Sequence, residues 1–151
     1  MDSDRTFFVT TITAQRLPIF RHETTADLFI ETLLHYRDAG KFLLHEFVVM
    51  PDHVHLLITP AAEISLERAG QFIKGGFSHR HGRGPVWQAS FSNHRVRDLD
   101  DYEQHREYIW MNPVRARLVE RAEAYPYSSA AGKVPVDPVL QGLKPRSFLA
   151  S

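Results

Sequence analysis

Cysteine is absent from this 151-residue chain. Its absence excludes a disulfide framework and a thiolate metal site, and leaves nitrogen and oxygen as the only protein ligands for a metal. It fits a reducing cytoplasm, the expected location. No apolar run approaches the roughly 20 residues of a membrane span, and the opening Met1-Asp-Ser-Asp-Arg5 lacks the pattern of a secretory signal. Net charge is missing too, since 18 Lys and Arg balance 18 Asp and Glu. That balance averages two unlike segments: residues 1–67 hold five basic against ten acidic side chains, and residues 68–121 hold ten against six. Phosphate contacts come from local Lys and Arg, so the second segment suits a polyanionic partner and equally an ordinary solvated surface.

What is present is an ordinary globular composition, 43% hydrophobic and 24% charged, in one chain long enough for a real core. Residues 7–13 (FFVTTIT) are aromatic and β-branched and read as a strand. A helix follows, capped by Thr24 or Thr25, with Leu28, Phe29, Thr32, Leu33 and Tyr36 in one stripe and Gly40 closing it. Residues 42–49 form a second strand, and the short Met50-Pro51-Asp52 link predicts a hairpin returning over 53–59. Ser65 opens a second helix that weakens at Gly75 and Gly76, so the basic stretch 74–84 is expected to be a mobile loop or frayed helix end. Residues 86–90 and 91–97 read as extended, with Trp87 and Phe91 in the core.

Asp98 or Asp100 caps a third helix over 101–111, which ends against Asn112-Pro113. This order of elements predicts an α+β sandwich, an antiparallel sheet with the first two helices on one face. The domain is expected to span 1–131. Residues 132–151, with Pro135, Pro138 and Pro145, are expected to form an irregular tail.

Two histidines, His53 and His55, sit at alternating positions in the apolar run Met50-Pro-Asp-His-Val-His-Leu-Leu-Ile58. In a strand both imidazoles project to one face while Val54, Leu56 and Ile58 fill the other. The pair reads as a metal clip or as hydrogen-bonded core histidines. Asp52 is expected to point to the opposite face, as a turn former or a support for a ligand. A second H-x-H, His79 and His81, has polar and flexible flanks and implies no preorganised site.

In the third helix Tyr102 and Ile109 lie seven apart and define an apolar stripe. Tyr108 is rotated away from it, on a face with Asp101, Gln104, Asn112 and Arg115. It reads as a surface aromatic, or as a phenol presented beside an amide oxygen four residues on. Lys74, Arg83, Arg95, Arg97 and Arg115 are candidate phosphate contacts, densest near His94. Gln104 is a candidate support of the tyrosine face.

Together, His53-Val-His55 after Met-Pro-Asp, the segment Val86-Trp-Gln-Ala-Ser-Phe-Ser-Asn-His-Arg-Val-Arg97, and Tyr108-Ile-Trp-Met-Asn-Pro-Val114 resemble the single-tyrosine HUH transposases. The REP-associated tyrosine transposase branch is the most similar, and the resemblance runs from about Phe7 to Ser129. It implies a ferredoxin-like HUH fold and metal-dependent cleavage and rejoining of single-stranded DNA at hairpin-forming palindromes. His53, His55 and Asn112 would then hold Mg²⁺ or Mn²⁺, and Tyr108 would be the nucleophile. Related insertion-sequence enzymes use a glutamine as third ligand, where this chain has the shorter Asn112.

The chemistry suits these groups. A phosphodiester repels nucleophiles, and a divalent ion reduces that repulsion. A free phenol ionises near pH 10 and needs a nearby cation or base to attack. Attack expels a 3′-hydroxyl and leaves a 5′-phosphotyrosine, from which another 3′-hydroxyl can reverse the step. Two other classes fit parts of the pattern: a hairpin-binding module without catalysis, and a small metallohydrolase with a water nucleophile. The sequence leaves monomer and homodimer open.

Overall fold

The computed structural model describes residues 5–89 and 91–146. Four antiparallel strands, β1 (Phe7–Ile12), β2 (Phe42–Met50), β3 (His53–Pro60) and β4 (Ser92–Arg95), form one sheet in the order β2-β3-β1-β4. Helices α1 (Glu23–Asp38) and α2 (Leu66–His81) connect the pairs, and α3 (Leu99–Arg115) follows β4. This is the α+β arrangement that the order of elements predicts, in the ferredoxin-like form that the resemblance implies. Among the described residues no helix is long and apolar enough to cross a membrane.

Strand alternation divides the core in two. Val9, Phe47, Val49, Val54, Leu56 and Ile58 pack against Phe29 and Leu33 of α1 and Ala69, Ile73 and Phe77 of α2. Val48, Met50 and Leu57 face the other way, onto Tyr102 and Ile109 of α3. In β3 the residues that alternate with Val54, Leu56 and Ile58 are His53, His55 and Leu57, so the histidines share the face covered by α3. Trp87 and Phe91 pack against the first core, as expected.

Several local expectations are corrected. Residue His22, not Thr24 or Thr25, occupies the N-cap of α1, and both threonines lie in its first turn. Most of the stretch 74–84 is helix and not loop: α2 runs through Gly75 and Gly76 to His81 and ends at Gly82, whose φ of +73° is the left-handed cap. Buried Ile73 and Phe77 carry the helix across the glycines, and a Cβ on Gly76 would lie 2.6 Å from the Tyr36 ring of α1. The local weakness of Gly76 is thus a close-packing requirement of the helix pair.

Helix α3 also runs further than expected, through Asn112-Pro113 to Arg115. Pro113 removes one N–H from the ladder, but the Ala116 N–H still bonds the Asn112 carbonyl at 3.0 Å, and Pro113 is buried. Of the two candidate caps Asp98 serves, its carboxylate accepting from the Asp101 N–H at 2.7 Å. The expected extended runs over 86–90 and 91–97 reduce to a single bridge, Thr13 with Trp87, and the four residues of β4, with Ser90 outside the described residues.

The tail lacks helix and strand over residues 132–145, yet it is tied down. Asp137 takes two bonds from the Arg37 guanidinium, at 2.9 and 3.0 Å, and one from the Leu44 N–H at 2.8 Å. These bonds, with burial opposing them, hold the Asp137 carboxyl below the ordinary carboxylate range. Asp137→Ala strands a partly buried guanidinium and a strand N–H. It is expected to cost about 2 kcal/mol, measured as a lower urea midpoint at unchanged slope.

Candidate functional site

The site forms where β1, β3 and α3 meet. Tyr102 is 3% exposed and Ile109 0%, and Trp110 donates to a Glu46 carboxylate oxygen at 2.8 Å, so α3 is pinned to the sheet along that stripe. Helical geometry then turns Tyr108 about 100° from Ile109, to the helix edge, where it is 43% exposed. Gln104 and Asn112 lie one turn before and after it. The continuation of α3 through Pro113 is what keeps Asn112 on that face.

His53 and His55 meet this edge from β3, with ring centroids 4.8 Å apart, and the His55 centroid lies 5.3 Å from that of Tyr108. His53, His55, Gln104, Tyr108 and Asn112 line one open cleft of about 670 Å³. Asp52 occupies the turn, and its carboxylate also reaches His53 Nδ1 at 2.7 Å. Thr10, opposite His55 in the β1–β3 register, holds His55 Nδ1 at 2.7 Å. With both Nδ1 atoms engaged, the Nε2 atoms remain. His55 Nε2 is buried without a partner, one of two such side-chain atoms among the described residues.

Burial, and after it the neighbouring His53 and His105, push the His55 pKa down to about 3, so the ring is neutral at pH 7. A neutral imidazole held at Nδ1, with an orphaned Nε2 lone pair, is the form that binds a metal. The Nε2 atoms of His53 and His55 with the Asn112 amide oxygen make a donor set that fits a divalent ion such as Mg²⁺ or Mn²⁺, and also Zn²⁺.

Sequence reasoning missed Phe8, Thr10, Ile12, Arg16 and His105, which line the same cleft. The first three become legible once β1 is paired with β3, because Ile12 opposes His53 and alternation puts 8, 10 and 12 on the histidine face. His105 lies three residues before Tyr108, a spacing visible in the sequence. The Phe8 ring lies 5.2 Å from His55 and 4.5 Å from His105. Beside it His94, Asp101 and His105 form a group whose potential ligand atoms lie within 4.8 Å of one another. His94 Nε2 bonds an Asp101 carboxylate oxygen at 2.8 Å, and His105 Nδ1 bonds the Asp101 backbone carbonyl at 2.9 Å, with the other carboxylate oxygen 3.1 Å away.

The basic candidates separate. The Arg115 guanidinium sits 5.3 Å from the Tyr108 ring centroid, a cation–π contact. Lys74 is on α2, across the sheet, with its ammonium donating to the Gln88 carbonyl. Arg83 lies in the turn after α2, and Arg95 pairs with Phe7, on the face away from the cleft. Arg97 engages Asp101 through its backbone N–H and leaves its side chain exposed. These four are not brought to the tyrosine.

One consequence is measurable on the protein alone. Burial also lowers the pKa of His45, whose ring is held by the Asp137 and Pro138 carbonyls and by Thr59. In the unfolded chain both imidazoles take a proton near pH 6.5, whereas the folded chain keeps them neutral to lower pH. The unfolded state therefore binds more protons, and metal-free protein loses stability as pH falls below 6.5, for His55 until about 3. Between pH 7.5 and pH 5, His55 alone should account for about 2 kcal/mol. Urea midpoints across that range should fall less steeply for His55→Gln.

Comparison with known proteins gives this geometry its context. Residues 4–112 match the family described as "Transposase IS200 like". The REP-associated tyrosine transposase of Escherichia coli K12 is 32% identical over 102 residues, 64% of this chain and 62% of that protein. The chain thus aligns with less than two thirds of that relative's length. Among solved structures, a REP-associated tyrosine transposase bound to a REP hairpin superposes with a TM-score of 0.74 at 25% identity, covering 95% of this chain and 92% of the other. A solved chain from Deinococcus radiodurans R1 shares the fold, with a TM-score of 0.54 at 23% identity over 69% of this chain and 87% of its own. Its match over most of its length makes this chain a member of the IS200-like transposase family.

Proposed function

We propose that the protein cleaves and rejoins single-stranded DNA beside hairpin-forming palindromes, through a covalent bond to Tyr108. The observation that carries this reading is the buried, unpartnered Nε2 of His55, in the same cleft as the exposed Tyr108. A core histidine would have satisfied that atom. Hairpin DNA as the substrate is supported by the hairpin-bound relative of the same fold.

His53, His55 and Asn112 would hold a divalent ion, which when bound supplies charge neutralisation of the scissile phosphate. Asp52 and Thr10 orient the two rings by their bonds to Nδ1. Tyr108 Oη attacks the phosphorus and gives up its proton to solvent or a neighbouring imidazole, forming the P–Oη bond. The P–O3′ bond breaks, and the leaving oxygen takes a proton as a 3′-hydroxyl. A second 3′-hydroxyl reverses the step on the phosphotyrosine, so no external energy source is consumed. Arg115, stacked on the Tyr108 ring, stabilises negative charge as the phenol deprotonates.

The test is incubation with a hairpin oligonucleotide carrying a single-stranded flank and Mn²⁺, followed by denaturing electrophoresis. A protein–DNA adduct is expected. Hairpin binding without adduct or cleavage would instead support a binding module, and catalytic turnover without adduct a hydrolase.

A further inference from the structure

We propose that Arg16 is a phosphate clamp for the DNA strand occupying the Tyr108 cleft. The inference rests on the reading of that cleft as a DNA site and adds a residue to it. Of the described residues lining the cleft, Arg16 carries the one permanent positive charge. It sits in a 3₁₀ turn, Ala14–Arg16, between β1 and α1.

The backbone of that turn is strained. Gln15 has φ 55° and Arg16 φ 51°, two successive non-glycine residues in the left-handed region. L side chains adopt it at a cost, and two in a row persist only where the surroundings dictate them. Here they do. The Ala14 N–H bonds the Val86 carbonyl at 2.7 Å, and the Thr13 N–H bonds the Asp52 carbonyl at 3.0 Å. The Thr13 hydroxyl is within bonding distance of the Leu17 and Asp52 carbonyls, at 2.8 and 3.0 Å. A link that only joined β1 to α1 could relax with a glycine. This one is held so that residue 16 faces the cleft.

The guanidinium itself is loosely tethered. Its one charge partner among the described residues is Asp52, at 3.5 Å, and its side chain is 54% exposed. Among the described residues it makes no hydrogen bond, and the other Asp52 oxygen is taken by His53. The planar fork of N–H donors is therefore available, next to the histidines and across the cleft from α3. A phosphodiester is the ligand that fork fits best. Engaging it requires the guanidinium to give up only a long, solvent-screened pair.

Two measurements test the clamp. Binding of a single-stranded oligonucleotide to a Tyr108→Phe protein, which needs no cleavage, should lose affinity on Arg16→Ala. The log–log salt slope should flatten by about 0.7, the value for one lost contact on a single strand. In cleavage, Arg16→Ala should lower the single-turnover rate of adduct formation at subsaturating DNA by on the order of 10–100-fold, with Arg16→Lys in between. A neutral methylphosphonate at one phosphate near the junction should slow wild type by a similar factor and leave Arg16→Ala unaffected. The Mn²⁺ concentration for half-maximal adduct should not change.

Unchanged salt slope, or no methylphosphonate position that couples to residue 16, would overturn the clamp. So would an effect confined to the Mn²⁺ requirement, since Arg16 would then act through Asp52 on His53. Failure of wild type to form any adduct rejects the Tyr108 reading instead and leaves the salt-slope measurement to decide Arg16.

Discussion

Tyr108→Phe is expected to abolish the denaturation-resistant adduct, lowering its rate of formation by on the order of 10⁴-fold or more, the scale of losing a nucleophile. The substitution removes one oxygen from a side chain 43% exposed, with no hydrogen bond to its hydroxyl among the described residues. Folding is therefore expected to be untouched, with a thermal midpoint within about a degree of wild type. Oligonucleotide affinity should likewise persist. Tyr102 is the internal control: it is buried, and burial pushes its phenol above the range in which a nucleophile could ionise. An adduct surviving in Tyr108→Phe would assign the nucleophile elsewhere.

The second large effect is expected from removing the two proposed histidine ligands. His53→Ala/His55→Ala should eliminate Mn²⁺ binding in calorimetry and bring adduct formation to background. An ion that binds the folded state alone would stabilise wild type by about 2.7 kcal/mol at 100 times its dissociation constant. The double variant should show no such gain. Added Mn²⁺ should accordingly raise the urea midpoint of wild type and leave that of the variant in place. Equal cleavage by the two proteins would remove the histidine pair from the reaction.

Much of this site is legible in the sequence because it depends on short-range periodicity. The two-residue period of a strand places His53 and His55 on one face, and the 3.6-residue period separates Tyr108 from the Tyr102–Ile109 stripe. What was not legible depends on pairing between distant segments. Thr10 holds His55 only because Ile12 falls opposite His53, a register no local pattern states. Arg16 reaches the cleft through a strained turn fastened to Asp52 and Val86, both far away in the chain. The two misread helix C-termini share a cause. Gly75-Gly76 and Asn112-Pro113 are breakers by propensity, and tertiary burial of Ile73, Phe77, Ile109 and Pro113 overrode them.

The passage of α3 through Pro113 divides the labour of the site between two bodies. Tyr108 and Asn112 ride together on one helix, and both imidazoles ride on one strand. A DNA strand joined to Tyr108 would be cargo of the helix alone, whereas an ion shared by His53, His55 and Asn112 would add a second tie between helix and sheet. Gaining and losing that ion would tie and untie only the Tyr108–Asn112 edge of α3, while the Tyr102–Ile109 stripe stays on the sheet.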